Sequence, residues 1–513
     1  MDSHDRALRG WYHRHFSRRK FLVGAAGLSA GAVVGGQLPT VAHAAPEGGL
    51  HGAELRGMYL TTKDRLAEGR FGLMFKKLPA FAPSDDLLTG LAQSMVEPND
   101  SDDFLNTNPK LFAGFTFIGQ FIDHDITRDT TPLDQQKADP DATVNFRTPR
   151  YDLDSLYGGG PTNQPELYDP ADPAKLLLQT NVNGVLDVPR DGNRAIIGDP
   201  RNDENLIIVQ FHKAVAQFHN RIVDYARSQG IRTEWLFETA RRLTRWHYQW
   251  AVIHDFLPAF VGAGLVPNGT VYKEVAGKPP VINLLYYRPT NREGRPFMPV
   301  EFAVAAYRFG HSLIRPFYVI SSSGKVDIFG PADGFNLNGG RPIPANLAIE
   351  WKNILPTDPT FPARPPRKID TKLSIPLSTL PGSAVPPPDP TIHLAVRNTL
   401  RGKRVGLPSG QQVAKAMRAT VLSNAELGLS GSGWGGEAPL WFYILKEAEL
   451  PPYNGERLGP VGGRIMAETL VGLLQRDPNS YLYLDAAWKP APPIAPATGH
   501  FGFVDLLRYA GAA

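Results

Sequence analysis

Apolar residues recur at helical spacing in several stretches of this chain, most clearly at Phe115, Ile118, Ile122 and Ile126. The spacing predicts a helix, with strand the competing reading because three of the four residues are β-branched. On such a helix Gln120, Asp123 and His124 stand at i, i+3 and i+4. An amide, a carboxylate and an imidazole then project from one face, while Asp125 points elsewhere. Pro132 closes the segment. Similar patterns predict helices around residues 204–228, 233–256, 299–313, 410–421 and 461–475, with Gly and Pro concentrated between them. The proline-rich stretch 356–390 reads as an irregular or partly extended connector. No internal repeat is evident.

The N-terminus has a different pattern. Ser17-Arg18-Arg19-Lys20-Phe21-Leu22 precedes an uncharged, Ala- and Gly-rich stretch from Val23 to Val41, then Ala42-His43-Ala44. That order is expected of a twin-arginine export signal, residues 1–44, with a small-residue cleavage site. A membrane anchor is the alternative, but a Gly-rich, weakly apolar stretch suits removal better than residence in lipid. No other run is long enough to span a bilayer. The remainder, residues 45–513, is therefore expected in the periplasm or outside the cell, delivered by the twin-arginine machinery and without a permanent membrane span.

Charge and cysteine content narrow the classes further. The 513-residue chain has a formal charge of +4, but residues 1–44 hold six Arg/Lys and two Asp, so the remainder is formally neutral. No basic patch points to nucleic acid. With no cysteine in an exported chain, stability must come from a large core and not from disulfides.

On residue types alone, His124 beside two aspartates suits a hydrogen-bonded, partly buried imidazole. The order Gly119-Gln120-Phe121-Ile122-Asp123-His124-Asp125-Ile126-Thr127, however, resembles the distal motif of the animal haem peroxidases, within the peroxidase-cyclooxygenase superfamily. Three further segments follow in the family's order. Ile197-Gly198-Asp199-Pro200-Arg201-Asn202-Asp203-Glu204-Asn205 resembles the segment with a distal arginine and a carboxylate three residues on, continued by Gln217-Phe218-His219-Asn220-Arg221. Ala306-Tyr307-Arg308-Phe309-Gly310-His311-Ser312-Leu313 resembles the segment bearing the proximal iron ligand. Leu394-Ala395-Val396-Arg397-Asn398-Thr399-Leu400-Arg401, with Gly406-Leu407-Pro408, resembles the segment whose asparagine orients that ligand. The resemblance implies a mainly α fold: a single large helical haem-peroxidase domain over residues 45–513, with its motif-bearing core at about 110–480, long irregular loops and little β.

It also implies roles. A neutral proximal imidazole leaves the opposite face of a haem iron open, and an acceptor on its other nitrogen raises its electron donation; His311 and Asn398 match those positions. Peroxide must lose a proton from its inner oxygen and regain one on the outer, and one imidazole can do both. His124 matches that shuttle, Arg201 the cation that stabilises the leaving oxygen, and Gln120 the holder of a water or halide. Asp123 and Glu204 match the residues that form ester bonds to the haem b methyls, although Glu204 equally suits a first-turn helix carboxylate. Asn205 stands where a sulfonium-forming relative has methionine, so no such link is expected. Arg308 and Arg401 match the propionate partners.

Thr148-Pro149-Arg150-Tyr151-Asp152-Leu153-Asp154 places oxygens at spacing two, as a loop around a hard cation requires. The resemblance makes this a calcium site of Asp125, Thr148, the Arg150 carbonyl, Asp152 and Asp154, with Asp154 replacing the usual serine; an Asp-rich turn without an ion is the alternative. His219 reads as structural, and His212, His247, His254 and His393 have no assigned role.

Three functions compete. A peroxidase would reduce hydrogen peroxide through a ferryl intermediate and oxidise a halide, thiocyanate, phenolic or other small organic donor. A cyclooxygenase-like or fatty-acid dioxygenase would need a tyrosine three residues before the proximal histidine, where this chain has Arg308. Tyr307 is one residue off, a rotation of about 100° on an α-helix, and this favours the peroxidase. A non-catalytic interaction module would have lost the distal histidine or arginine, and neither is lost.

Overall fold

The computed structural model describes residues 70–99, 106–128, 145, 147, 149–289, 297–331, 334–380, 392–430 and 433–513. The expected export signal at 1–44 and the predicted ligand Thr148 lie outside them. The principal α-helices are α1 (Asp85–Ser94), α2 (Gly114–Ile126), α3 (Leu206–Ser228), α4 (Thr233–Ala251), α5 (Leu394–Arg404), α6 (Gly410–Ala416), α7 (Leu440–Glu449), α8 (Pro460–Arg476) and α9 (Phe503–Ala510). Strands among the described residues are two to five residues long and pair only two at a time. The fold is mainly α, as expected.

α2 settles the helix-or-strand question at its segment. It is buried almost all round, and only Gln120 and Asp123 keep partial exposure. α3 begins where the Asn205 side chain accepts from the Ile207 N–H, satisfying one of the donors a helix start leaves open. It packs against α2, α4 and α9. Phe211 of α3 meets Phe121 of α2 edge-to-face at 5.1 Å. Burying each such ring contributes about 1.5–3 kcal/mol.

Two predicted helices take other forms. The 233–256 pattern is helical throughout, but α4 gives way at Val252–Phe256 to a π-helical turn, whose extra residue re-aims the side chains that follow. Residues 299–313 do not form an α-helix. A π-helical turn at Glu301–Ala305 runs into a 3-10 helix at Ala306–Leu313, with a backbone break at Ala305 (φ −126°, ψ −73°). Their apolar spacing suits any tight helix, so periodicity cannot separate the types.

The 410–421 pattern stops at α6, because Arg418 turns the chain back with φ 56°. α8 matches its pattern closely. Of the 356–390 connector, the described part is irregular apart from a 3-10 turn at Ile375–Ser378. α1, α5, α7 and α9 lie beyond the helices that periodicity predicts. In α7, Leu440 to Leu445 are all buried, so no polar face reveals the period. One continuous apolar core links Phe71 to Ala510. No helix among the described residues is long and apolar enough to cross a membrane.

Candidate active site

A cavity of about 660 Å³ lies between α2 and the 3-10 segment that carries His311. Gln120, Asp123 and His124 line one wall, and Tyr307, Arg308, Phe309, Gly310 and His311 line the other. Glu204 and Asn205, at the entry to α3, join the first wall. Phe115, Phe256 and Phe260 supply apolar surface, and Ile328, Phe329, Leu377, Leu380, Leu394 and Arg397 extend the lining. The predicted face of α2 is thus the face that meets the cavity.

His311 is held from behind. The Asn398 amide nitrogen lies 2.8 Å from His311 Nδ1, and its oxygen accepts from Arg308 Nη1 at 2.9 Å. Burial, with Arg308 adding to it, pushes the His311 pKa down to about 3, so the ring is neutral.

Opposite, His124 Nδ1 lies 2.9 Å from Asn202 Oδ1, while Nε2 is 3.5 Å from Glu204 Oε1. Gln120 Nε2 donates to that same Glu204 oxygen. Glu204 is half exposed to the cavity; the surrounding protein opposes its ionisation, but His124, Arg201 and Gln120 outweigh this and hold the carboxyl below its ordinary range. The Asp123 carboxylate accepts from Thr127 Oγ1 at 2.8 Å.

Two arginines depart from expectation. Arg201 is not part of the cavity lining. Its guanidinium donates to the carbonyls of His124 and Thr127, both at 2.9 Å, and to Asp199 at 2.8 Å, tying down the C-terminal end of α2. Those carbonyls carry the negative end of the helix dipole and compete with the cavity for the cation. Likewise the lining contains Arg397 and not Arg401, which sits one helical turn further along α5.

Behind α2, three of the five predicted cation ligands come together. Carboxylate oxygens of Asp125, Asp152 and Asp154 lie within 4.8 Å of one another. Leu153 adopts a left-handed conformation (φ 55°) between the two loop aspartates, and its N–H donates to Asp125 at 3.3 Å. A non-glycine residue in that region is strained, and such strain clusters at ligand sites. Burial and the two neighbouring carboxylates push the Asp125 pKa well above its ordinary value. Buried Arg147 links this group to the distal segment, pairing with Asp154 at 3.2 Å and with Asp199 at 3.0 Å. Burial opposes the charge on Asp199, but Arg201 and Arg147 hold its carboxyl far below the usual range. Gly198 lets these pieces touch: a Cβ there would lie 2.6 Å from the Asp154 carbonyl.

The spacing arguments passed over Asn202 and His212. Asn202 follows Arg201 directly and its amide reaches two imidazoles. His219 is structural, bonded to Tyr157 and to the Ala174 carbonyl. His247 and His254 bond carbonyls one turn back, and His393 caps α5.

A mainly α fold that opposes two imidazoles across one apolar-walled cavity has the arrangement of a haem pocket. The family model of the animal haem peroxidases matches residues 120–409, and the chain belongs to that family. Dual oxidase of Drosophila melanogaster is 26% identical over 144 residues, which is 27% of this chain and 8% of that much longer protein. Peroxidase A from Dictyostelium discoideum has the same fold at 16% identity, with a TM-score of 0.57 over 82% of this chain and 90% of that one. The fatty acid alpha-dioxygenase of Oryza sativa matches at 13% identity and a TM-score of 0.56, over 82% and 79% of the two chains.

The residues fit a haem. His311 is neutral, and the aromatic walls and guanidinium groups suit a porphyrin and its carboxylates. The Asn398 amide, its oxygen taken by Arg308, turns its nitrogen and not the expected acceptor oxygen to His311 Nδ1, so iron ligation through Nε2 would need that amide turned over.

Proposed function

We propose that the chain is a haem peroxidase that reduces hydrogen peroxide and oxidises a small donor such as a halide, thiocyanate or phenol. The supporting observation is that one cavity carries His124 and Gln120 on one wall and His311, backed by Asn398, on the other. His311 would hold the iron, with Arg308 and Arg397 on the wall for the propionates. When bound, the haem supplies an iron that accepts peroxide oxygen and exchanges electrons.

The remaining chemistry belongs to the chain. His124 takes a proton from the inner oxygen of hydrogen peroxide and returns it to the outer oxygen, which leaves as water. Gln120 offers an amide donor beside it, and Phe115, Phe256 and Phe260 give the cavity apolar wall surface. Asp123 and Glu204 both face the cavity, which supports a role in ester attachment of the haem. Calcium at Asp125, Asp152 and Asp154 would hold α2, and with it His124, in place. Export by the twin-arginine route is part of the same proposal.

One observation favours a second reading, fatty-acid dioxygenation. Tyr307 lines the cavity despite its offset from the expected position. Its hydroxyl donates to the Gly119 carbonyl at 3.0 Å, and burial pushes its pKa well above the usual value.

The test is the absorption spectrum of haem-loaded protein before and after hydrogen peroxide, then a panel of halide, phenol and palmitate. A Soret band that shifts with peroxide and recovers with halide or phenol supports the peroxidase. Oxygen uptake with palmitate alone supports the dioxygenase, and no haem band sinks both.

A further inference from the structure

His124 is the first of three groups in a line that leads away from the cavity into the core. Its Nδ1 lies 2.9 Å from the oxygen of the Asn202 amide, and the nitrogen of the same amide lies 3.1 Å from His212 Nδ1. Asn202 is fully buried and His212 is 3% exposed, so water does not substitute for either contact. Both are held rigidly. Asn202 sits in the 3-10 turn Pro200–Asp203, capped by Asp199, and His212 is on α3 with its ring 6.1 Å from that of Phe121 on α2.

An amide oxygen only accepts and an amide nitrogen only donates. In this orientation His124 Nδ1 must carry a proton and His212 Nδ1 must be bare. We propose that Asn202 and His212 are positioning residues that fix the tautomer of His124, keeping the proton on Nδ1 and leaving Nε2, which faces Glu204 in the cavity wall, as the nitrogen that gains and loses one.

The arrangement suits a shuttle in both of its states. Nδ1–H donates to Asn202 whether the ring is neutral or an imidazolium, so a proton enters and leaves at Nε2 without any rearrangement. Turning the amide over would set its N–H groups against the imidazolium N–H and halt the cycle. His212 opposes that turn by offering a bare nitrogen to the amide N–H. Burial pushes its pKa down to about 4, which keeps it neutral and able to accept. The catalytic consequence rests on the peroxidase reading, whereas the assignment of protons does not.

Nitrogen-15 NMR of histidine-labelled full-length protein, with any bound haem reduced and carbonylated to make it diamagnetic, reads the assignment directly. His124→Gln and His212→Phe identify the two residues' signals. A protonated His124 Nδ1 and a bare His212 Nδ1 are expected, and the reverse pattern overturns the proposal. In peroxide turnover by the haem-loaded enzyme, His212→Phe is expected to cost about 10- to 100-fold, as loss of an orienting partner does. Adding Asn202→Asp to that variant should recover most of the loss, because a carboxylate presents an acceptor to Nδ1–H in either orientation. A merely structural His212 would not be rescued by a buried charge, so a folded double variant without recovery also overturns it. Wild-type protein that binds haem but ignores peroxide would sink the peroxidase reading and leave the NMR result to decide the assignment.

Discussion

Replacing Asp152 with asparagine keeps an oxygen in the cation loop and removes one charge, so its effect should change sign with calcium. Carboxylate oxygens of Asp125, Asp152 and Asp154 lie within 4.8 Å of one another. At that separation, and an effective dielectric constant of about 20, each pair of charges costs about 3.5 kcal/mol. Burial and its two neighbours push the Asp125 pKa well up, which favours its protonated form and so lowers this cost. The partial exposure of Asp152 trims the rest. In excess chelator, Asp152→Asn should therefore stabilise the fold by about 1–3 kcal/mol. With calcium the order reverses. If calcium binds with a dissociation constant of about 1 µM, wild-type protein at about 1 mM calcium should gain about 4 kcal/mol. Binding weakened tenfold to a hundredfold removes about 1.4–2.8 kcal/mol of that gain. Denaturant titrations with chelator and with calcium measure both quantities. A wild type indifferent to calcium, or a variant destabilised equally in both conditions, would refute the reasoning.

Other expectations concern single side chains. His124→Ala should lower peroxide-dependent donor oxidation by at least about 100-fold while the haem still binds; an unchanged rate removes His124 from the mechanism. Arg201→Gln should cost about 1–3 kcal/mol of stability, since Asp199 retains Arg147, and should change the peroxide rate less than about tenfold; a normal melting curve with a large rate loss would return Arg201 to the cavity. Glu447 is buried, which pushes its pKa from 4.5 up to about 8 against the pull of the Val461 and Gly462 N–H groups. The folded chain therefore holds a proton there that the unfolded chain releases, and this stability, complete below about pH 4.5, is lost as the pH rises through about 8. Glu447→Gln should flatten the fall in stability between pH 5 and 9 by roughly 3–5 kcal/mol, and parallel pH profiles for the two proteins would contradict it.

The distal face of α2 was legible in the sequence because i, i+3, i+4 spacing defines a helix face whatever it packs against. The convergence of Asp125 with Asp152 and Asp154 follows from family resemblance and the oxygen alternation together. The arginines were not legible. A guanidinium on a long stem goes to the strongest acceptors within reach, and for Arg201 these are the carbonyls that end α2 and the buried Asp199, none of them visible in local spacing. The 3-10 geometry at Ala306–Leu313 was hidden for another reason: its side-chain period is close to that of an α-helix, so apolar spacing does not separate the two. Asn202 went unremarked because an asparagine in a turn is ordinary, and only the fold reveals that both ends of its amide meet imidazoles.

α2 serves two sites with consecutive residues, His124 turned to the cavity and Asp125 to the acidic loop. An insertion or deletion of one residue upstream in this helix would rotate both by about 100° at once. The cavity face and the acidic loop are therefore tied to one helical register, and a change of length in this stretch would disturb both together.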